Sequence, residues 1–237
     1  MTGVHPSYQF GIVTLLPELL AGFLSHGVVG RAFASGLLTC DIINPRVFVE
    51  DAHHTIDDRP YGGGPGMVMM AEPLAQSVDH LKAKLGLDTP VCYLSPQGEV
   101  FSHQKARVLA QALPAKLILV CGRYEGVDER FLMTRVDFQL SVGDYVLSGG
   151  ELPAQIVMDA LARFIPGVLG DQDSAVQDSF ESGLLDHPHY TRPWVWEGLE
   201  VPEVLRSGHH EKIEAWRLKT AMALTKSHRP DLWEKKL

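Results

Sequence analysis

Between Gln9 and Gly150, short apolar runs alternate with longer amphipathic stretches, and this alternation restricts the fold more than any other feature. Two stretches, Glu72 to Leu85 and His103 to Leu113, have helical spacing, and Ser102 is a predicted N-cap for the second. Three runs have the character of buried strands: Phe10 to Leu16, Val91 to Leu94 and Leu117 to Cys121. Strands that alternate with helices predict an α/β fold with a mostly parallel sheet.

The rest of the chain predicts a second domain. A further helix is predicted from Glu151 to Ile165, after which glycine, acidic and small polar residues indicate a flexible linker over residues 166–182. Beyond the linker lie all four tryptophans and a helical pattern from His210 to Lys226. We therefore expect one domain over residues 1–165 and a small, all-helical domain over residues 183–237.

The composition excludes several classes of protein. With 45% hydrophobic and 21% charged residues the chain is typical of a folded domain, and no apolar run approaches the roughly 18 residues of a membrane-spanning helix. The first ten residues lack a basic start leading into an apolar stretch, so we expect no signal peptide, no membrane partner and a cytoplasmic location. Cys40, Cys92 and Cys121 are widely spaced, which predicts reduced packing residues.

The formal net charge of −8 argues against a nucleic-acid partner, because phosphate binding commonly leaves a basic footprint. Basic residues are nevertheless concentrated near the end of the chain, at Lys212, Arg217, Lys219, Lys226 and Arg229. A local basic face there would permit RNA binding if the negative excess lies elsewhere. Composition alone does not indicate RNA.

Glycine is concentrated in four segments, three of which follow predicted strands. They are Tyr61–Gly66, Ser95–Gly98, Gly122–Gly126 and Gly143–Gly150. Ligands of open α/β sheets bind beyond the carboxyl ends of the strands, so these loops predict a pocket built largely from main chain. None has the spacing of a dinucleotide fingerprint or a P-loop. Taken singly, each segment is also what a tight turn would use.

Longer motifs extend these segments along nearly the whole chain. They are Asp57–Met67 (DDRPYGGGPGM), Tyr93–Gly98 (YLSPQG), Leu117–Gly126 (LILVCGRYEG), Gly143–Pro153 (GDYVLSGGELP), Arg163–Gly170 (RFIPGVLG), Asp178–Phe180 (DSF) and His189–Pro193 (HYTRP). In this order they closely resemble the bacterial tRNA (guanine-N1)-methyltransferases of the SPOUT superfamily. Any one motif alone would be weak evidence, whereas the ordered set is specific.

The resemblance implies both a reaction and an architecture. The reaction is methyl transfer from S-adenosylmethionine to N1 of the guanosine at tRNA position 37, immediately 3′ of the anticodon, which gives 1-methylguanosine and supports reading-frame maintenance. The architecture is a SPOUT domain with a deep trefoil knot, in a homodimer whose active site lies at the subunit interface, with tRNA held by the helical domain. Nothing in the periodicity of the sequence shows the knot, and knots are rare.

The resemblance also implies roles for individual residues. Asp178 would be the general base that accepts the N1 proton, and Arg163 would stabilise negative charge on the guanine carbonyl. Asp57, Arg59 and Gly62 would lie near the target guanosine and its 5′ neighbour. The residues implied to bind S-adenosylmethionine are Tyr93, Leu94, Ser95, Pro96, Gly98, Gly122, Tyr124, Glu125, Gly126, Val142, Gly143, Asp144, Tyr145, Val146, Leu147, Gly149, Gly150 and Pro153.

The two implied catalytic residues have simpler interpretations from their surroundings alone. Asp178 followed by Glu181 has the spacing of a helix capping box, and an isolated arginine such as Arg163 is commonly solvated or ion-paired. The family is associated with magnesium, yet no carboxylate cluster in the sequence marks a cation site. Whether the protein uses Mg²⁺ is therefore left open by the sequence, and no residue is predicted to bind a metal.

Three other functions stay open on the sequence: a noncatalytic RNA-binding protein of the same fold, a methyltransferase acting on a ribose hydroxyl or ribosomal RNA, and a nicotinamide-dependent enzyme. The retained Asp178, Arg163 and donor loops argue against the first. The Asp57–Gly66 loop and the Asp178–Phe180 motif argue against the second. The missing dinucleotide fingerprint argues against the third.

Overall fold

A five-stranded parallel sheet is the centre of the computed structural model, which describes residues 7–112, 114–170 and 178–234. The strands preceding residue 170 are β1 (Tyr8–Val13), β2 (Leu38–Ile43), β3 (Asp57–Asp58), β4 (Val68–Met69), β5 (Val91–Val100), β6 (Lys116–Cys121) and β7 (Phe138–Ser141). The sheet has the order β2-β1-β6-β5-β7, and every neighbouring pair in it is parallel. The predicted α/β fold with a mostly parallel sheet is confirmed.

Six α-helices accompany these strands within the described residues up to 170. They are α1 (Ala21–Ser25), α2 (Gly27–Ala34), α3 (Ala71–Leu85), α4 (His103–Gln111), α5 (Glu129–Arg135) and α6 (Glu151–Ala162). The Ser102 hydroxyl accepts a hydrogen bond from the Lys105 backbone N–H at 3.2 Å, so the predicted N-cap of α4 is confirmed. Helix α6 ends at Ala162, short of the predicted Ile165. Pro166 has no N–H to donate to the Ala162 carbonyl, and Ile165, directly before the proline, is disfavoured in helical geometry.

Both faces of the sheet are covered, which explains why its strands are continuously apolar. Successive side chains of a strand point to opposite faces. Accordingly Leu117 packs into a cluster with Met158 of α6, whereas Ile118 packs into a second cluster with Val78 of α3. Each such fully buried aliphatic side chain contributes roughly 1.5–3 kcal/mol to the free energy of unfolding.

Strand β5 is longer than the predicted Val91–Leu94. Its pairing with β7 is interrupted after Leu94 and resumes at Glu99, so the intervening residues bulge out of the ladder. A Cβ atom placed on Gly98 would lie only 2.5 Å from the Gln139 carbonyl carbon and would overlap the Leu140 nitrogen. The bulge therefore requires glycine at this position.

The chain divides into two compact units, Met1–Gly170 and Asp171–Leu237. The described elements of the second unit are β8 (Val195–Trp196), β9 (Leu199–Glu200), α7 (Glu203–Arg206), α8 (His210–His228) and α9 (Pro230–Glu234). Residues 171–177 of the predicted linker lie outside the described residues. Within the described ranges, no helix has both the length and the apolar character needed to cross a bilayer.

The expectation that residues 183–237 are all-helical is wrong in one detail, because β8 and β9 form an antiparallel hairpin. The two residues between them, Glu197 and Gly198, have φ angles of 50° and 79°. Positive φ at both central residues is the geometry of a two-residue turn that matches the twist of paired strands. The pattern of apolar residues does not reveal so short a hairpin.

Candidate active site

Three segments meet at one edge of the sheet: the bulge within β5 and the loops that follow the adjacent parallel strands β6 and β7. They bound a pocket of about 400 Å³, a volume within the usual range for small-molecule sites. Tyr93 and Pro96 line it from β5, Gly122 and Glu125 from the loop after β6, and Leu147 from the loop after β7. The pocket predicted beyond the carboxyl ends of the strands is therefore present.

The pocket gathers all of the residues implied to bind the methyl donor except Gly98 and Asp144. Gly98 packs against the backbone of β7, and Asp144 is exposed. Several lining residues are absent from the predicted set: Gln97, Arg123, Val127, Glu129, Leu132, Leu140, Ser141 and Ser148. Gln97, Arg123 and Ser148 lie inside the motifs, so the motif boundaries could have indicated them. No sequence signal indicates that α5 contributes Glu129 and Leu132.

The loops after β6 and β7 contact each other through their backbones. The Gly150 N–H donates a hydrogen bond to the Gly122 carbonyl at 3.0 Å. A Cβ atom on Gly150 would lie 2.6 Å from the Cys121 Cα, which leaves no room for a side chain. Glycine at position 150 is thus required for the close approach of the two chain segments.

Beneath the pocket lies a buried ion pair between Arg123 and Glu151. Glu151 is only 1% exposed, and its carboxylate accepts hydrogen bonds from the Arg123 guanidinium at 2.8 and 3.3 Å and from the Thr14 hydroxyl at 2.7 Å. Arg123 also donates to the Ser148 carbonyl at 3.3 Å. These contacts connect the end of β1, the loop after β6, the loop after β7 and the start of α6.

The cysteines are packing residues, as predicted, and all three are unpaired. Burial raises the pKa of the Cys92 thiol to about 12. Burial, together with the nearby Glu151 carboxylate, also raises the pKa of the Cys121 thiol. Both groups are therefore protonated at neutral pH and are poor nucleophiles.

The segment that carries Asp57, Arg59 and Gly62 lies beside the pocket wall. Its continuation pairs with the loop after β6, since the Glu125 N–H donates to the Met67 carbonyl and the Met69 N–H donates to the Gly126 carbonyl, both at 2.9 Å. Asp57 is half-buried in β3, whereas Arg59 and Gly62 are exposed. The three residues are therefore available to a large ligand close to the pocket.

A family model described as tRNA (Guanine-1)-methyltransferase TrmD matches residues 8–235. The chain belongs to this family. Among curated relatives, the tRNA (guanine-N(1)-)-methyltransferase of Idiomarina loihiensis is 54% identical over 224 residues, covering 94% of this chain and 88% of the relative. That of Aeromonas salmonicida is 55% identical over 222 residues, covering 94% and 88%. That of Proteus mirabilis is 54% identical over 224 residues, covering 94% and 89%.

In this member of the tRNA (guanine-1)-methyltransferase family, Arg163 is exposed at the carboxyl end of α6. Gly150 and Pro153, at the amino end of the same helix, line the pocket. The helix has 12 residues, which separates its two ends by roughly 18 Å along the axis. The structure therefore does not bring Arg163 to the pocket of its own chain.

Asp178 belongs to the second unit, where it is half-buried at the start of a turn. The Glu181 N–H donates to its backbone carbonyl at 3.3 Å. The described residues 178–184 form turns and bends without a helix, so the capping-box interpretation of Asp178 is wrong. Asp178 lines a pocket of about 210 Å³ together with Glu214 and Arg217 of the same unit.

In the part of the chain that the structure describes, one group has metal-ligand chemistry: Asp186, His187 and His189. The His189 Nε2 atom lies 2.8 Å from the Asp186 carboxylate. Burial of that carboxylate opposes its ionisation, but hydrogen bonds from His189 and from the His187 N–H outweigh this effect and lower the Asp186 pKa. Two imidazoles and one carboxylate do not fit Mg²⁺, which prefers oxygen ligands.

Proposed function

We propose that this chain transfers the methyl group of S-adenosylmethionine to N1 of the tRNA guanosine at position 37, immediately 3′ of the anticodon. The observation that most strongly supports this function is the pocket formed by three family motifs near the carboxyl ends of three adjacent parallel strands. The product, 1-methylguanosine, would support reading-frame maintenance, and the proposed reaction would take place in the cytoplasm.

The pocket residues fit S-adenosylmethionine in size and in chemistry. The walls combine apolar side chains such as Leu94 and Pro153 with the main chain of glycine-bearing loops, whose N–H and C=O groups suit an adenine edge. Glu125 and Glu129 also line the pocket, and their carboxylates complement a positively charged ligand. When bound, S-adenosylmethionine supplies an electrophilic methyl group on a sulfonium sulfur.

Two side chains would assist the attack of guanine N1. N1 carries a weakly acidic proton that must leave, and the Asp178 carboxylate would accept it. The Arg163 guanidinium would stabilise the negative charge that then develops on the guanine carbonyl oxygen. The base must leave its stack to reach the pocket, which costs a few kcal/mol, and we assign the offsetting contacts to Asp57, Arg59 and Gly62.

The outer face of α6 supports a homodimer with a shared site. Leu152 and Ile156 are 56% and 44% exposed, and Arg163 follows on the same helical face. The Gln155 amide donates to the Leu19 carbonyl at 3.1 Å, which places the exposed Leu19 beside this apolar face. If two copies pair through it, Arg163 of one subunit can serve the pocket of the other.

The trefoil knot of the SPOUT superfamily is part of the same proposal. Family membership supports it, and so does the Gly150–Gly122 hydrogen bond, which joins the loop after β7 to the loop after β6. A backbone contact of this kind, with no space for a Cβ atom, is compatible with one chain segment passing close to another.

A row of lysines on α8 supports tRNA binding by the second unit. Lys212, Lys219 and Lys226 are exposed and recur every seven residues, so they lie along one face of the helix. Arg217 and Arg229, by contrast, are paired with Glu214 and Asp231, each at 2.7 Å. We assign these three residues, the α8 lysine row, to contacts with tRNA phosphates.

The test is transfer of labelled methyl from S-adenosylmethionine to two unmodified tRNA transcripts that differ only in carrying guanosine or adenosine at position 37. We expect label in the guanosine transcript alone, because only guanine offers an N1 proton at that position. Label on neither transcript, although the protein binds S-adenosylmethionine, would instead favour another RNA substrate or a noncatalytic RNA-binding protein.

A further inference from the structure

The buried Glu151 carboxylate connects three segments that are distant in sequence. Thr14 is 137 residues away and Arg123 is 28 residues away, yet both donate hydrogen bonds to it. The Glu151 and Arg123 side chains are 2% and 19% exposed, so the ion pair is largely removed from water. In such surroundings a carboxylate and a guanidinium depend on each other, because neither can be resolvated without moving the backbone that carries it.

Local structure favours a negative charge at this position. Glu151 is the first residue of α6, where the partial positive charge of the helix amino terminus stabilises a carboxylate. Gly149 packs directly over the pair, since a Cβ atom there would lie 2.6 Å from both the Arg123 Nε and a Glu151 carboxylate oxygen. The glycine thus leaves space for the ion pair to form beneath the loop.

The ion pair reaches the pocket through Arg123. Arg123 and Ser148 both line the pocket, and the Arg123 guanidinium connects them by donating to the Ser148 carbonyl at 3.3 Å. Glu151 does not line the pocket; it holds the arginine from below. The separation of the loops after β6 and β7, and with it the width of the pocket, therefore depends on this carboxylate.

We propose that Glu151 is a positioning residue for the methyl donor, acting through Arg123 and assisted by Thr14. The proposal rests on the proposed function, because it takes the pocket to be the S-adenosylmethionine site. Its distinguishing consequence is a loss of donor affinity that exceeds any loss in the catalytic rate constant. Contacts to tRNA are not part of the network, so tRNA affinity is unaffected.

The primary test is Glu151→Gln, which keeps the shape of the side chain and removes its charge. Calorimetric titration with S-adenosylmethionine should show the Kd raised by roughly tenfold or more, the loss expected for a charge-assisted hydrogen bond. Steady-state methylation should show the donor KM raised in parallel, a smaller change in kcat and an unchanged KM for tRNA. A folded Glu151→Gln protein whose Kd for S-adenosylmethionine and donor KM equal those of the wild type would overturn the proposal.

A second variant covers the case in which Glu151→Gln does not fold. Thr14→Val removes the hydroxyl that donates to Glu151 while leaving the ion pair intact, and we expect a smaller rise in the donor Kd. Thr14→Ser, which restores a hydroxyl, should recover wild-type binding. If Thr14→Val lowers the melting temperature with no change in donor Kd, the network is merely structural and the proposal is wrong.

The matched control is Asp41→Asn, which breaks an ion pair with Lys84. Neither Asp41 nor Lys84 lines the pocket. Donor binding should equal that of the wild type. Failure of the proposed function gives a different result, because the wild-type protein would then not methylate the guanosine transcript. If the wild-type protein binds S-adenosylmethionine and neither Glu151→Gln nor Thr14→Val changes the Kd, the positioning role alone is refuted.

Discussion

The surroundings of Asp178 indicate the reaction step in which its carboxylate would act. The carboxylate lies half-buried in a turn of the second unit, in a small pocket with Glu214 and Arg217. A carboxylate can act as a general base only within hydrogen-bond reach of the proton that it accepts. We therefore expect its contribution to appear in the methyl-transfer step and not in binding of the donor, whose proposed pocket is lined by no described residue of the second unit.

Asp178→Asn is the residue-scale prediction. The amide keeps the shape of the side chain but cannot take the N1 proton, so we expect the single-turnover rate of methylation to fall by roughly 10²- to 10⁴-fold. The Kd for S-adenosylmethionine, measured by calorimetry, should be unchanged. Asp231→Asn, which removes an exposed carboxylate of the same unit, is the control and should methylate normally. A fully active Asp178→Asn protein would remove the general-base assignment.

The length of strand β5 depends on its pairing with the neighbouring strand β7. Its first four residues are buried and apolar, so the sequence predicts them, whereas the stretch from Ser95 to Val100 is largely exposed. That stretch is a strand only because Glu99 and Val100 pair with β7 after the bulge. Helix α4 is the opposite case, since its periodicity and the Ser102 cap are local and predict its start.

The element-scale prediction concerns the bulge. Gly98→Ala would force a Cβ atom into the backbone of β7, so we expect a loss of about 1–3 kcal/mol in the free energy of unfolding, as in overpacked sites, and weaker donor binding. Urea unfolding and calorimetry would measure both. Gly22→Ala is the matched control, because no atom lies within 4 Å of its Cβ and it sits in α1. Equal stability of the two variants would show that the bulge tolerates a side chain.

At the scale of the whole molecule, the proposed site with Arg163 would need a second copy of the chain. Arg163 and the pocket lie at opposite ends of α6, and the exposed Leu152 and Ile156 share the outer face of that helix with Arg163. An apolar helix face next to an arginine with a proposed catalytic role is the arrangement expected of a two-fold interface that exchanges residues between subunits. The exposed lysines of the α8 lysine row share one helix face although the net charge of the whole chain is −8.

The molecule-scale prediction uses mixed subunits. Arg163→Ala removes the guanidinium, and Val146→Trp places a large ring at an exposed position of the pocket lining, which we expect to block the donor. Each homodimer should be inactive. A purified heterodimer should recover about half of the wild-type rate, because one of its two shared sites combines an intact pocket with an intact arginine. An inactive heterodimer would show that each site is built from a single chain.

The sequence by itself determined the α/β class, the positions of β1, β5 and β6 but not of β2 and β7, the longer helices to within three residues of their bounds, and the loops that line the pocket. These features are local: an apolar run and the glycines that follow it are contiguous, so periodicity and motif order are sufficient to find them. Only the tertiary structure decided that Thr14 and Arg123 meet Glu151, that Gly98 abuts β7, and that Arg163 lies far from its own pocket. Those relations depend on which strands become neighbours, and strand order is set by packing of the whole sheet, not by any short stretch of sequence.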